Sequence, residues 1–376
     1  MDELKELYIE PTSHCNLNCV MCPRNSWRNK SAGHMSLTIF DKLIEQIPDS
    51  ITRIFFGGVG EPLYHSDIMY MIHRAKKTGR TVELITNGTL LNDETISEIL
   101  DAKLDMLWIS LDSMEEESYE YIRSGAQFTS VMSNIQAFNK KRGFFYYGET
   151  HPDSLTPRLG IAFVLMKRNL SEYSKLLRNA HSMGLSDIRA THLIPYDKSQ
   201  LDQICYERIM EAGLYNPAWH HGVRVDMPLM DTRDIHEYDM LQLFSNTTTS
   251  FSFMGTPLHR KVDYCRFIHN GVAFVRWDGE VCPCMALLHE QTIYQQNKER
   301  YLRPCGFGNI NEQSLLKIWE DESYASFRQR VLDFEFSYCT YCGPCDKFKS
   351  NEADCFGNTF PTCGACLWAQ GVFQCP

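Results

Sequence analysis

Three cysteines within eight residues, in Ser13-His14-Cys15-Asn16-Leu17-Asn18-Cys19-Val20-Met21-Cys22, constrain this chain more than any other feature. Thiols that merely fill a core have no reason to crowd so closely. A loop carrying three thiolates, by contrast, can wrap one soft metal centre, and sulfur ligands select zinc, copper or iron–sulfur clusters over hard cations. The number three is informative. A structural zinc site and an all-cysteine ferredoxin cluster are both closed by four ligands, so three thiolates on a four-iron cube leave one iron with a free position, which implies chemistry. Two other readings stand beside this one: a zinc knuckle that borrows a fourth ligand such as His14, or free buried cysteines.

Length and charge narrow the setting. A chain of 376 residues exceeds the size at which one core stops growing, so one large domain with a smaller one is expected. A hydrophobic content of 43% and a charged content of 22% exclude a disordered or fibrous chain. The net charge of -10 argues against an electrostatic grip on nucleic acid or on an anionic membrane. No run reaches the roughly 18 apolar residues of a membrane span, and residues 1–12 lack a secretory pattern, so the expected compartment is the cytoplasm. In that reducing setting, the 15 cysteines argue for metal ligation over disulfides. Three precede residue 23, Cys205 stands alone as an expected buried thiol, and eleven follow residue 264. Two metal-bearing regions joined by a cysteine-poor scaffold follow from that split.

Hydrophobic patterning predicts strands over 4–10, 51–56, 81–86, 106–111, 158–165 and 187–193, with intervening helices capped at Ser36, Ser66, Asn92 and Ser171. Six strands alternating with helices mean parallel βα units with right-handed crossovers, an α/β fold of the partial (β/α)6 TIM-like barrel kind. In such folds the strand C-terminal ends make the active face. The cysteine loop, 57–62, 86–88, 110–112 and His192 all lie at such ends. The expected division is a barrel over 1–200, a bridge over 201–264 with a helix near 201–213 and a short strand at 223–227, and a small cysteine-rich C-terminal domain over 265–376. That last region opens on a β-hairpin, marked by Asp278-Gly279 between alternating runs, followed by loops and helix.

The Cys-x3-Cys-x2-Cys spacing resembles the signature of radical S-adenosylmethionine (SAM) enzymes. The resemblance implies that Cys15, Cys19 and Cys22 hold a [4Fe-4S] cluster whose unique iron chelates SAM, and that one electron releases a 5′-deoxyadenosyl radical that abstracts a substrate hydrogen. Gly57-Gly58-Val59-Gly60-Glu61-Pro62 resembles the family's Gly-Gly-Glu-Pro motif, with a Val-Gly insertion, and implies SAM contacts from Gly58, Gly60, Glu61 and Pro62. Asn87-Gly88 resembles the Asn-Gly after the third strand. Ser110 and Asp112, at alternate positions, are expected to face the mouth and to meet the SAM ribose or carboxylate, and Arg123 resembles an arginine that holds the carboxylate. Met21 stands where an aromatic residue usually presents its backbone to adenine. His192 is expected at the cofactor and, with Tyr196 and Asp197, is a candidate base; no residue is assigned a catalytic role.

In the C-terminal region, Cys265-x13-Gly279-x4-Cys284 resembles the opening of the SPASM extension, whose order continues through Gly308-Asn309-Ile310, Phe327-Arg328 and Cys339-x2-Cys342. The extension implies one or two auxiliary [4Fe-4S] clusters. Their candidate ligands are Cys265, Cys284, Cys339, Cys342, Cys345, Cys355, Cys363, Cys366 and Cys375, nine thiols for at most eight places. Zinc ribbons are the alternative reading. Met285 occupies the position where some members carry an acidic base. The whole implies an anaerobic oxidoreductase or maturase, fed by a reductant such as flavodoxin or ferredoxin. Its auxiliary clusters would accept an electron for net oxidation or cross-linking of a peptide or protein substrate. The same chemistry on a small molecule, or in maturation of a metalloenzyme cofactor, is the alternative. A non-catalytic iron–sulfur carrier would explain the cysteines but not the glycine and Asn-Gly signals.

Overall fold

The computed structural model describes residues 3–27, 32–145, 152–206, 224–227, 250–253, 256–257, 265–340 and 345–369. Strands β1 (Glu6–Ile9), β2 (Arg53–Phe56), β3 (Thr81–Thr86), β4 (Met106–Ser110), β5 (Arg158–Leu165) and β6 (Asp187–His192) lie side by side in chain order and all parallel. Between them run α1 (Leu37–Ile44), α2 (Ile68–Lys76), α3 (Asp93–Asp101), α4 (Glu116–Ile122) and α5 (Phe128–Lys141), while α6 (Leu170–Asn179) joins β5 to β6.

Each helix starts and stops for a local reason. Ser36 caps α1 by accepting from the Ile39 amide at 3.2 Å, and Asn92 caps α3 from Thr95 at 2.8 Å, contacts worth about 1 kcal/mol each. Phe40, Leu43 and Ile44 then turn the apolar face of α1 onto the sheet. Two expected caps shift by a residue or two: α2 begins after Asp67 rather than Ser66, and α6 after Asn169 rather than Ser171, neither with a side-chain cap bond.

The sheet does not end at β1. The expected hairpin, β10 (Val272–Val275) and β11 (Val281–Cys282), joins it: β10 pairs in parallel with β1 from Glu6↔Val272 to Ile9↔Val275, giving eight strands in the order β11-β10-β1-β2-β3-β4-β5-β6. Gly279 turns the hairpin with φ +87. One hydrophobic core runs from the barrel strands through this hairpin to the C-terminal helices, α8 (Leu315–Trp319) and α9 (Glu322–Leu332), which follow the short α7 (Arg266–His269). A separate antiparallel pair, β12 (Gln291–Gln295) and β13 (Lys298–Leu302), turns through Gln296 and Asn297 at φ 51 and 59. In the bridge, β7 (Arg224–Met227) matches the expected short strand and pairs with β8 (Ser250–Phe253), which pairs with β9 (Thr256–Pro257). Where the expected bridge helix would begin, the chain instead makes a 3-10 turn at Lys198–Gln203 and turns extended at Ile204, so no helix runs through 204–206; residues 207–213 lie outside the described residues.

Candidate cofactor and substrate site

β1 delivers its C-terminal end to the cysteine loop, and the loop folds so that all three cysteines line one cavity of ≈ 240 Å³. Each sulfur has a hydrogen-bond donor. Cys15 Sγ accepts from the Leu17 amide at 3.4 Å and the Asn87 side chain at 3.9 Å. Cys19 Sγ accepts from Arg123 Nη1 at 3.9 Å, and Cys22 Sγ from Arg24 Nε at 3.4 Å. Two of these donors are cations, which favours negative charge on sulfur. Burial pushes the Cys19 thiol up to about 11 despite Arg123, and raises Cys15 as well. A soft metal, which binds thiolate, overcomes that penalty.

The arrangement fits a cluster with an open corner. His14, the candidate fourth ligand, stacks on His34 at 4.6 Å and is not among the cavity walls. Among the described residues, no three Cys, His, Asp or Glu side chains close on a point that would hold a single metal ion. Thiols set around a space rather than a point suit a multi-iron cluster.

Met21, Gly58, Gly60, Glu61, Pro62, Asn87, Ser110 and Arg123 share the cavity wall with the thiols, as the sequence leads one to expect. Their placement follows from close packing. A Cβ on Gly60 would lie 2.1 Å from the Thr12 carbonyl oxygen and 2.6 Å from that of His14, so only glycine lets this loop rest on the cysteine loop. Glu61 is buried, and its carboxylate is spent within the protein: it accepts from Thr86 Oγ1 and the Asn87 amide, both at 2.7 Å, and from Leu63 at 3.0 Å. Burial raises its pKa against those three bonds. Glu61 thus clamps the loop after β2 to the loop after β3.

Asp112 departs from expectation. It has no solvent exposure and is not a wall of either cavity described here. Its Oδ2 binds Arg123 Nε at 2.6 Å and its Oδ1 accepts the Val164 amide at 2.7 Å. Asp112 therefore reaches the site through Arg123.

A second cavity of ≈ 350 Å³ fills the barrel and shares Met21, Gly58, Ser110 and Arg123 with the first. His192 and Tyr196 line it, and burial lowers the His192 pKa, keeping the imidazole neutral. Asp197 does not reach it: the side chain is exposed and caps the next turn, accepting from Ser199. Met285, beside Cys284, closes one side, so the position next to the hairpin cysteine is apolar.

Among the C-terminal cysteines, four gather. Cys284 is partly buried, and burial together with the neighbouring thiols of Cys366, Cys265 and Cys363 raises its pKa well above the ordinary thiol value. Cys363 likewise feels burial, then Cys366 and Cys265. The fold thus brings four thiols together from the start of α7, the end of the hairpin and the C-terminal loop. Cys339 packs with Phe348 and Ala365, while Cys345 and Cys355 are exposed; Cys342 and Cys375 lie outside the described residues.

Four residues of the site escaped sequence reasoning. Arg24 and Arg189 carry no motif. Trp368 lines both the barrel cavity and a small cavity bordered by Cys284, Cys363 and Cys366. Arg300, buried on β13 near Cys366 and Cys339, had a faint signal: an arginine at an inward position of an alternating strand.

A model described as the radical SAM superfamily matches residues 9–148, and one described as an iron-sulfur cluster-binding domain, SPASM, matches 265–346. The tungsten-containing aldehyde ferredoxin oxidoreductase cofactor-modifying protein of Pyrococcus furiosus is 30% identical over 386 residues, covering 99% of this chain and 97% of that protein. The AdoMet-dependent heme synthase of Methanosarcina barkeri is 24% identical over 94% of this chain and 92% of its own length. SuiB of Streptococcus suis bound to S-adenosylmethionine superposes with a TM-score of 0.57 at 15% identity, over 92% of this chain and 71% of SuiB. AdoMet-bound anSMEcpe does so with 0.57 at 14%, over 97% and 95%. At those identities the solved structures speak for the fold alone.

Proposed function

Because the chain belongs to the radical SAM superfamily and carries a SPASM iron–sulfur domain, we propose that it is a maturase whose barrel oxidises a small, cofactor-class molecule. Its cofactors are a [4Fe-4S] cluster, SAM and auxiliary iron–sulfur. When bound, the first cluster supplies the electron that splits SAM to a 5′-deoxyadenosyl radical able to take a substrate hydrogen, and the auxiliary site supplies an acceptor for a second electron.

The chain's own groups bind and orient. Cys15, Cys19 and Cys22 would hold the first cluster, with Asn87, Arg123 and Arg24 donating to their sulfurs. Cys265, Cys284, Cys363 and Cys366 would hold an auxiliary one. The glycines after β2 let backbone approach SAM, and Ser110 and Arg123 face it across the cavity. His192, neutral through burial, is placed to take the proton that leaves an oxidised substrate.

One observation carries the reading: the barrel cavity shares walls with both thiol-lined cavities. It shares Met21, Gly58, Ser110 and Arg123 with the first, and Ile194 and Trp368 with the walls of the second. A volume of ≈ 350 Å³ suits a small molecule. The name of the Pyrococcus relative supports a cofactor-type substrate over a peptide or protein. A flavodoxin or ferredoxin is the proposed electron source. The cytoplasm is the proposed compartment; no described helix is long and apolar enough to cross a membrane.

Anaerobic reconstitution with dithionite and SAM should release 5′-deoxyadenosine even without substrate, and its absence would remove the enzymatic reading. Replacing Cys15, Cys19 and Cys22 together by alanine should cost about four irons per chain while auxiliary iron remains.

A further inference from the structure

The barrel cavity contains a cation for which no carboxylate partner stands within hydrogen-bond reach among the described residues. Toward the N-terminal end of the strands, Arg53 is matched: it binds Glu6 at 2.8 Å and Glu83 at 2.7 and 3.0 Å. Glu83 is further committed to Trp108 Nε1 at 2.8 Å. Arg189, on β6, has no such partner. Its guanidinium lies 4.4 Å from the Trp108 ring centre, and its buried Nη1 has no hydrogen-bond partner. The platform under it is built on purpose by a gap in β5: a Cβ on Gly160 would meet Trp108 at 2.6 Å, so glycine there makes room for the indole.

Arg266, from α7, lines the same cavity and acts on Arg189 as a like charge. Burial, then Arg266 and Arg53, depresses the Arg189 pKa against the opposing pull of Glu83, whose carboxylate is already bound to Arg53 and Trp108. An unpaired buried donor beside a second cation costs free energy that a bound anion would recover, since charge-assisted bonds to a guanidinium fork are among the strongest available. Aromatic side chains make up another part of the wall. Tyr8 and Phe55, ring centres 4.7 Å apart and stacked, line the cavity together with Trp368.

We propose that Arg189 and Arg266 form an anion subsite, so that the substrate is a planar small molecule bearing a carboxylate or a phosphate. This rests on the reading of the barrel cavity as the substrate pocket. The anionic group sits over Trp108 against β6, which leaves the rest of the molecule to extend toward Met21 and Gly58, where the two cavities meet.

The test is calorimetric titration of the reconstituted, SAM-loaded protein with phenyl phosphate, benzoate and, as neutral control, benzyl alcohol. Either anion should bind at least about tenfold more tightly than the alcohol, and the tighter of the two identifies phosphate or carboxylate. Arg189→Gln should weaken anion binding by about tenfold or more, Arg189→Lys should keep part of it, and Arg178→Gln, on the exposed face of α6, should change nothing. Iron content and melting temperature of each variant verify folding. Equal binding of all three probes, or full anion affinity in a folded Arg189→Gln, overturns the proposal. Release of 5′-deoxyadenosine by the wild-type protein reports separately on the underlying reading.

Discussion

Asp112 has no contact with solvent, yet it sets the position of Arg123, the cation that lines the cavity beside the cysteine loop and donates to the Cys19 sulfur. Removing a partner from a buried, hydrogen-bonded ion pair leaves the other charge uncompensated, at a cost of about 3–5 kcal/mol. Asp112→Ala should therefore lower unfolding free energy in a urea titration by about that amount; a loss below about 1 kcal/mol would mean that Arg123 finds another anion. The sequence placed Asp112 at the mouth because alternation from Ser110 points it there. β4 ends at Ser110, however, and period-two reasoning lapses where the strand stops. His192 makes a second residue-scale prediction. Burial depresses its pKa below the ordinary 6.5, so below that pH the unfolded chain binds a proton that the folded one refuses. Stability should fall as pH drops through about 6.5 toward the folded value, and His192→Asn should flatten that part of a plot of melting temperature against pH. An unchanged slope would show that the imidazole is not the group responsible.

At the scale of elements, the six barrel strands were readable because buried parallel strands write themselves as apolar runs between turn signals. The hairpin was readable from Asp278-Gly279, but not its place beside β1, since edge pairing is a non-local choice that no local pattern encodes. β12 and β13 went unread for the opposite reason: their turn uses Gln296 and Asn297 at positive φ, without the glycine that marks such turns. The loop after β2 shows an element held by backbone shape alone. Gly60→Ala would drive a methyl into the Thr12 carbonyl, and a backbone atom cannot rotate aside as a side chain can. Overpacking of this kind costs about 1–3 kcal/mol and would displace the cysteine loop. The expected result is a folded barrel that takes up less iron than wild type during reconstitution, with auxiliary iron retained. Full iron uptake and an unchanged melting curve would show that the two loops do not depend on this contact.

For the whole molecule, the gathering of four C-terminal thiols explains why spacing alone could not divide nine. Cys265 and Cys366 lie about a hundred positions apart, and only the fold brings them to Cys284 and Cys363. The same fold ties the auxiliary region to the barrel more closely than a boundary near residue 265 implies. β10 is a strand of the barrel sheet, and Val272, Phe274 and Val275 are buried there. Glu10, just after β1, binds His289 at 2.9 Å and the Val59 amide at 3.0 Å, so one carboxylate joins the barrel, the loop after β2 and the C-terminal region. Burying a valine or phenylalanine is worth about 1.5–3 kcal/mol, so those three side chains alone contribute about 5–9 kcal/mol, comparable to the whole stability of an ordinary protein. A chain cut after residue 264 should then expose the edge of β1 and aggregate rather than stand as a free barrel. A soluble, monomeric 1–264 fragment that melts cooperatively near the full-length temperature would contradict this, and would mean that radical chemistry and electron acceptor belong to separable bodies rather than to one sheet.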